Sequence, residues 1–394
     1  MVVRFTILCL CVFCLAHCTL IGSRAWTKYD ALEPACHVEF KDQGDRESLI
    51  QAIDQSLAYL SHTPSDTLLQ FGNDRYTTTD LQQSLRDVKQ QIEALGLGEP
   101  FAAYLRENFS FYRSAAPNVL FTGYYEATLK GSRTKSARYQ YPIYRVPDDL
   151  VRVNLPKLLP ETKIEGLPTV IRGRITKNHD IEAYYSREQI DFSGGLNGRN
   201  LEIAWVDDPI ELFFLHIQGA GVVELEDGSS LHVNFADING QPYRAIGGLL
   251  LKEGLLTREN ISMQSIQSYL RSNPQRLREI LSYNPSYVFF RVVDHGPIGS
   301  VGVPLTPLRS IATDSALFPK GALALVEVEA PVFDRNGSIS GTKRLQRLVL
   351  NQDTGGAIKG PGRVDLFTGR GPESELLAGH LNAPGELYFL MKKR

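Results

Sequence analysis

The sequence contains almost no cysteine beyond its first eighteen residues. Four of its five cysteines are at positions 9, 11, 14 and 18, and only Cys36 follows them. A disulfide framework or a cysteine-based zinc site is therefore not expected in the folded part of the chain.

Several catalytic motifs are also missing. The eight histidines include no His-Glu-x-x-His arrangement, and the chain has no Gly-x-Ser-x-Gly and no Gly-x-x-x-x-Gly-Lys-Ser/Thr. These absences argue against a zinc protease, an α/β-hydrolase and a P-loop nucleotide site. His216 and His232 could face each other across a predicted hairpin, but ordinary polar positions in a sheet are the simpler interpretation. We expect no metal site.

The chain has no marked excess of charge of either sign. Its 42 basic and 44 acidic residues give a net charge of −2, so nothing indicates nucleic acid as a partner. The length of 394 residues, with 43% hydrophobic residues, allows two or three domains with their own cores.

The N-terminus resembles an export signal. An apolar run from Phe5 to Ala16 follows Arg4 and is too short to span a bilayer as a helix. The sequence Leu-Ala-His-Cys that ends at Cys18 resembles a lipobox, although His17 stands where a small residue is usual. We therefore predict a signal peptide over residues 1–18 and lipid attachment to Cys18.

A plain secretory signal cleaved after Ala25 is the alternative interpretation. Either signal places the mature chain outside the cytoplasm. A single lipid-bearing cysteine is also consistent with the shortage of cysteines further on.

The remaining pattern is helical at first and mostly β afterwards. Apolar spacing predicts helices over 45–61, 78–97, 98–114 and 263–282. Aromatic and β-branched residues predict strands from Val119 onward. We predict hairpin structure over 211–247, with turns at Asp227-Gly228 and Asn239-Gly240. Many short strands favour barrels over a parallel sheet.

Two aspartates, Asp353 and Asp365, bracket a glycine-rich segment. Asp353-Thr354-Gly355 has the form of an aspartic protease motif, but the chain lacks the second copy that a single-chain enzyme of that class needs. Carboxylate chemistry involving these residues and Asp314 remains. On spacing alone, the simpler interpretation is an Asx-turn at Asp353 and a solvent-facing Asp365.

Longer stretches point to a family. The segments FTGYYEATLKGS (121–132), LFFLHIQGAGVVEL (212–225) and DTGGAIKGPGRVDLFTGRGPE (353–373) occur in the order found in membrane-bound lytic transglycosylase A, a family that cleaves bacterial murein. The resemblance runs from about Phe121 to the C-terminus. The last segment resembles the three-aspartate domain, whose acidic residues correspond here to Asp314, Asp353 and Asp365.

The resemblance implies a mainly β fold with N-terminal helices. Residues 19–125 and 291–394 would form a double-psi β-barrel domain, and residues 126–290 a smaller, murein-binding β-barrel domain inserted between the two parts. A groove between the domains would hold a glycan strand.

The implied reaction is non-hydrolytic and needs no cofactor. The β-1,4 bond between N-acetylmuramic acid and N-acetylglucosamine is cut when the muramyl C6 hydroxyl attacks C1, which leaves a 1,6-anhydromuramyl end. Because the nucleophile belongs to the substrate, one carboxyl can serve as acid and then as base, unlike the usual pair. By position in the family pattern this residue is Asp365, with Asp353 and Asp314 in support. Burial and a neighbouring carboxylate would have to raise its pKa from about 3.9.

The resemblance also implies binding residues and a location. The groove segments contribute Thr122, Tyr124, Tyr125, Gln218, Gly219, Gly355, Gly356 and Lys359. The expected partners are glycan strands of peptidoglycan, the outer membrane and a cell-wall synthesis complex. The protein would lie in the periplasm, anchored through Cys18 to the inner leaflet of the outer membrane. Two alternatives stay open: a two-carboxylate hydrolase with Asp353 or Asp314 as base, and a non-catalytic murein-binding lipoprotein.

Overall fold

The structure, a computed structural model, describes residues 26–36, 38–161 and 169–394. The predicted signal segment, with Cys18 and Ala25, lies outside these residues. In the described part, Cys36 is exposed and its thiol is free. No helix in the described ranges is both long enough and apolar enough to cross a membrane.

The described residues form eighteen strands and nine α-helices. The strands are β1 (Leu32–Ala35), β2 (Leu68–Phe71), β3 (Asp74–Thr77), β4 (Phe109–Ser114), β5 (Val119–Ser132), β6 (Tyr141–Tyr144), β7 (Val151–Asn154), β8 (Val170–Ile175), β9 (Ile181–Glu182), β10 (Glu202–Val206), β11 (Ala220–Leu225), β12 (Ser230–Ile238), β13 (Val288–Val293), β14 (Ser310–Ala312), β15 (Leu323–Phe333), β16 (Ile339–Asp353), β17 (Arg363–Arg370) and β18 (Asn382–Lys392). The helices are α1 (Arg46–Ser61), α2 (Thr78–Leu95), α3 (Glu99–Asn108), α4 (Leu155–Leu158), α5 (Pro209–Gln218), α6 (Ile246–Lys252), α7 (Met263–Ser272), α8 (Leu277–Ser282) and α9 (Pro372–His380).

Thirteen of these strands belong to one sheet, whose main path runs β1-β4-β18-β15-β16-β14-β17-β5-β11-β12-β13, with β10 and β6 attached at β5. Most neighbours are antiparallel, but β5 pairs in parallel with β11 and β17, and β14 pairs in parallel with β16. The long strand β5 therefore links the central and C-terminal parts of the chain. The mainly β fold predicted from the sequence is confirmed.

The first two helices begin where the sequence predicts. Asp45 accepts a hydrogen bond from the Ser48 backbone N–H at 2.7 Å, and Thr77 forms a capping box with Asp80. Leu81 and Leu85 of α2 are fully buried in a core shared with β15, β16 and β18. The N-terminal helices thus pack against the C-terminal strands.

Two predicted helices are too long. The helix predicted over 98–114 ends at Asn108, because residues 109–114 form β4, which pairs with both β1 and β18. The helix predicted over 263–282 is interrupted at Asn273-Pro274, where a 3₁₀ turn separates α7 from α8. Proline has no N–H to continue the helical hydrogen bonds.

The hairpin predicted over 211–247 is wrong in its first part. Residues 209–218 form α5, which begins at the N-cap Asp208 and ends at Gly219, a glycine with a φ of 79°. The turn at Asp227-Gly228 joins β11 and β12 as predicted.

The turn at Asn239-Gly240 does not join adjacent strands, since β12 pairs with the distant β13. His216 and His232 do not face each other across a hairpin, because they lie on a helix and on a strand.

The three-residue strand β14 lies between β16 and β17. Ala312 pairs with Asp353 on one side and with Asp365 on the other. Neighbouring strands are about 4.8 Å apart, so the Cα atoms of the two aspartates are roughly 10 Å apart. A bulge in the β14–β16 pairing skips Gln352, whose side chain is instead buried against α1, where it donates to the Ala52 carbonyl at 2.8 Å.

A buried ion pair precedes β14. Arg309 donates to the Asp42 carboxylate at 2.6 and 3.0 Å, and both side chains are almost fully buried, with 1% and 0% exposure. The Asp42 carboxylate also accepts the Leu348 backbone N–H at 2.7 Å. The chain before α1 is thereby joined to the strands that carry the paired aspartates.

We expect Asp42→Ala to lower the free energy of unfolding by about 3–5 kcal/mol, because it leaves the Arg309 guanidinium buried without its partner. Urea unfolding followed by circular dichroism measures this loss. Glu33→Gln is the matched control, since the Arg113–Glu33 pair is half exposed and its loss should cost less than about 1 kcal/mol. Equal losses in both variants would contradict the assigned role of the buried pair.

Candidate active site

A groove of about 910 Å³ runs between the central part of the chain and the C-terminal strands. One wall comes from α5, β12 and the segments around Tyr243 and Ser286, and the other from residues 297–305, 353–358 and 363–367. Its size is in the range of ligand-binding clefts, and its walls come from segments far apart in the sequence.

The alternation of β17 directs its polar residues into the groove. Arg363, Asp365 and Phe367 line it, whereas Val364 and Leu366 are fully buried in the core. Successive side chains of a strand point to opposite faces, so the period of two places Asp365 on the groove side.

The Asp365 carboxyl is 22% exposed. Its Oδ1 accepts hydrogen bonds from the Thr122 hydroxyl and, at 3.2 Å, from Arg363. Burial raises the pKa of Asp365 above its ordinary value, while the Thr122 hydrogen bond and the Arg363 charge oppose the rise. Among the described residues, the hydrogen bonds of this carboxyl all involve Oδ1, so Oδ2 is available to a ligand.

Asp353 is held more tightly. Its Oδ1 accepts the backbone N–H groups of Ser300 at 2.9 Å and Thr354 at 2.8 Å, and its Oδ2 accepts the Tyr124 hydroxyl at 3.0 Å. Burial raises the pKa of Asp353, and these three hydrogen bonds together with Lys320 oppose the rise. Asp353 thus orders three neighbouring segments of the groove.

Tyr124 contacts Asp353 and lies within the electrostatic influence of Asp365. Its pKa lies well above the usual value because the ring is buried and the Asp353 charge is near, so the hydroxyl remains a donor to Asp353. The negative charge of an ionised Asp365 also raises the pKa of the Tyr124 hydroxyl. The Tyr124 ring packs against Phe367 with centroids 5.4 Å apart.

Asp314 does not line the groove. Its side chain is buried, and its Oδ2 accepts the backbone N–H of Gly360 at 2.9 Å. Asp314 therefore supports the end of the glycine-rich loop, where Gly360 has a φ of 81° that favours glycine. Lys359 of the same loop is exposed and also lies outside the groove lining.

The other predicted binding residues are brought together at the groove. Tyr125, Gln218, Gly219, Gly355 and Gly356 line it. The Gln218 carboxamide accepts the Tyr125 backbone N–H at 3.0 Å, which joins α5 to β5. Thr122 reaches the groove through its hydrogen bond to Asp365.

Sequence reasoning missed several groove residues. Arg363 could have been found, since it precedes Asp365 by two positions on a predicted strand and shares its face. Tyr243, which interacts electrostatically with both Asp365 and Arg187, gave no such signal. Lys320, which lies outside the groove lining, was also missed; it donates a hydrogen bond to the Asp353 backbone carbonyl, a contact that only the folding of a loop creates.

Two family models match the chain. The MltA specific insert domain matches residues 120–291, and the 3D domain matches residues 309–391. Both regions contribute residues to the groove, and residues 297–305 of its lining lie between them.

Two curated relatives are similar in sequence over 276 residues, 69% of this chain. Membrane-bound lytic murein transglycosylase A of Escherichia coli K12 is 34% identical, and its namesake in Vibrio cholerae is 33% identical. The aligned region spans 66% and 65% of those proteins, just under two thirds of their lengths.

Solved structures agree with this assignment over most of the chain. The membrane-bound lytic murein transglycosylase from Agrobacterium tumefaciens is 31% identical with a TM-score of 0.72, covering 89% of this chain and 94% of that one. E. coli MltA with bound chitohexaose is 25% identical with a TM-score of 0.69, covering 95% and 97%. The chain belongs to the membrane-bound lytic murein transglycosylase A family.

Proposed function

We propose that this protein is a lytic transglycosylase that cleaves peptidoglycan between N-acetylmuramic acid and N-acetylglucosamine and leaves 1,6-anhydromuramyl ends. The observation that carries the proposal is the Asp365 carboxyl, which lies in the groove with a raised pKa and one unengaged oxygen. The relative with bound chitohexaose supports a glycan chain as the occupant of the groove.

In this mechanism Asp365 begins protonated. It donates its proton to the glycosidic oxygen as the bond to C1 of N-acetylmuramic acid breaks. The resulting carboxylate then accepts the proton of the C6 hydroxyl as that oxygen bonds to C1. The proton returns to Asp365, so no water is consumed and the side chain is ready for the next cycle.

Asp353 has a different role. Its carboxylate is occupied by three hydrogen-bond donors, which favour its ionised form and hold it in place. It orders Tyr124 and the Ser300 loop beside Asp365, and Asp314 orders the glycine-rich loop. Thr122, Tyr124, Tyr125, Gln218, Gly219, Gly355 and Gly356 contact the glycan strand in this proposal, and the exposed Lys359 meets a part of the strand outside the groove lining.

The two family matches support a division into two domains. Residues 19–125 and 291–394 form a double-psi β-barrel domain in this proposal, and residues 126–290 form the inserted murein-binding β domain.

The protein acts in the cell envelope under this proposal. Its curated relatives are named membrane-bound, which supports envelope association. Lipid attachment at Cys18 would anchor the chain to the inner leaflet of the outer membrane, with the catalytic part in the periplasm and open to a cell-wall synthesis complex.

Digestion of purified murein should yield 1,6-anhydromuramyl fragments, because the C6 hydroxyl replaces water as nucleophile. Mass spectrometry of the products in H₂¹⁸O measures this directly. We expect no labelled oxygen at the new ends. Labelled reducing ends would favour the two-carboxylate hydrolase, and the absence of soluble fragments would favour the non-catalytic binder.

We expect Asp365→Asn to reduce cleavage by roughly 10²–10⁴-fold while murein binding is retained, because the amide cannot act as an acid. Release of anhydromuramyl fragments and murein co-sedimentation are the two measurements. Asp66→Asn, which changes an exposed aspartate before β2, is the control and should behave like the wild type. Undiminished turnover in Asp365→Asn would assign the acid to another residue.

Thr122→Val should move the alkaline limb of the pH profile of kcat/KM to higher pH. The acid works only when protonated, so activity is lost as the pH rises through the pKa of Asp365. Removing the Thr122 hydrogen bond, which lowers this pKa, should raise it further. Thr122→Ser keeps the hydroxyl and should retain the wild-type limb; a shift of the Val variant toward lower pH would contradict this account.

A further inference from the structure

A lysine that lies outside the groove contacts its most ordered aspartate. Lys320 follows Pro319 in the loop between β14 and β15, and its Nζ donates a hydrogen bond to the backbone carbonyl of Asp353. The same carbonyl accepts the Thr313 backbone N–H at 3.2 Å. The end of β16 is thus held from two directions at the residue where the strand stops.

The loop that carries Lys320 is fixed by Asn351. The buried Asn351 amide donates to the Pro319 carbonyl at 2.8 Å, and its oxygen lies 2.9 Å from the Thr313 hydroxyl. The Gly321 backbone N–H donates to the Asn351 carbonyl at 2.8 Å. The backbone on both sides of Lys320 is therefore bonded to β16, which places the start of its side chain close to Asp353.

The ammonium group is partly removed from solvent and lies near two acidic side chains. Burial lowers the pKa of Lys320 to about 8, and the charges of Asp353 and Asp314 oppose this shift. Lys320 in turn favours the ionised form of Asp353. Among the described residues, the charged groups that act on Lys320 are Asp353, at the end of β16, and Asp314, in the loop after β14. The Tyr124 hydroxyl on β5 donates a hydrogen bond to Asp353.

We infer that Lys320 is a positioning residue of the groove: its ammonium group bonds the Asp353 backbone carbonyl, fixes the end of β16 and adds a positive charge near Asp353, so that Asp353 holds Tyr124 and the Ser300 loop in the groove. The inference rests on the proposed lytic function of the same site. It gives the two groove aspartates different roles, with Asp353 ordering the groove and Asp365 as the proposed acid. Lys320 acts through Asp353 and does not touch the reacting atoms.

The first test needs no activity. In protein labelled with ¹³C at the aspartate carboxyl carbons, the signal missing from Asp353→Asn identifies Asp353. We expect its pKa to rise in Lys320→Met, because the favourable charge is gone. In the wild type, the Asp353 signal should show a second inflection near pH 8 as Lys320 loses its proton. An unchanged Asp353 pKa in Lys320→Met would overturn the inference. The absence of the inflection in the wild type would also overturn it, and this wild-type measurement is sufficient if Lys320→Met does not fold.

The second test is kinetic. At the pH of maximal activity, Lys320→Met should lower kcat for anhydromuramyl release by roughly tenfold or more with little change in KM, because the groove is less well ordered around Asp365. Lys320→Arg keeps the charge and should recover most of this loss. Lys392→Met removes a lysine that pairs with the remote Asp87 at 2.6 Å and should leave kcat unchanged.

The two proposals fail in different ways. A wild type without anhydromuramyl products would reject the proposed function, whereas the Asp353 titration would still decide the role of Lys320. Wild-type kcat in Lys320→Met, or an equal loss in Lys320→Arg and Lys320→Met, would reject the charge-based role.

Discussion

The placement of β14 between β16 and β17 is the constraint on which the site depends. Ala312 pairs with Asp353 and with Asp365, so a strand of three residues sets the separation of the two groove carboxyls. Its position is fixed by the buried Arg309–Asp42 pair on one side and by Gln352, which is bonded to α1, on the other. The helix α1, which does not line the groove, thereby contributes to its geometry.

The two aspartates are alike in sequence but differ in their surroundings. Asp353 receives three hydrogen bonds and the charge of Lys320, whereas Asp365 receives two contacts on a single oxygen. Burial raises the pKa of both carboxyls, and more hydrogen-bond donors oppose this rise at Asp353 than at Asp365. One carboxyl with an available oxygen suits the proposed reaction, in which the nucleophile would belong to the substrate.

The central region supplies one wall of the groove and is joined by one continuous strand to the side that carries Asp365. β5 pairs with β17 near Asp365 and with β11 further along. Thr122 and Tyr124 lie on the first part of this strand, and the hydrogen bond between Tyr125 and Gln218 extends the order to α5. The shape of the groove and the position of the Asp365 carboxyl therefore both depend on β5.

The sequence by itself determined the elements with strong local signals. The caps at Asp45 and Thr77 and the alternation that buries Val364 and exposes Asp365 to the groove follow from residues that are neighbours in the chain. Local patterns predicted the wrong structure for two segments. Residues 109–114 continue the apolar spacing of a helix but form a strand, because they pair with other strands of the sheet. Residues 211–218 resemble a strand but belong to a helix that begins at a proline and ends before a glycine. Only the tertiary structure decided three other contacts: the pairing of Asp353 and Asp365 with Ala312, the hydrogen bond from Gly360 to Asp314, and the hydrogen bond from Lys320 to the end of β16. These contacts join residues that are distant in the chain, and their proximity depends on the order of the strands and on a bulge.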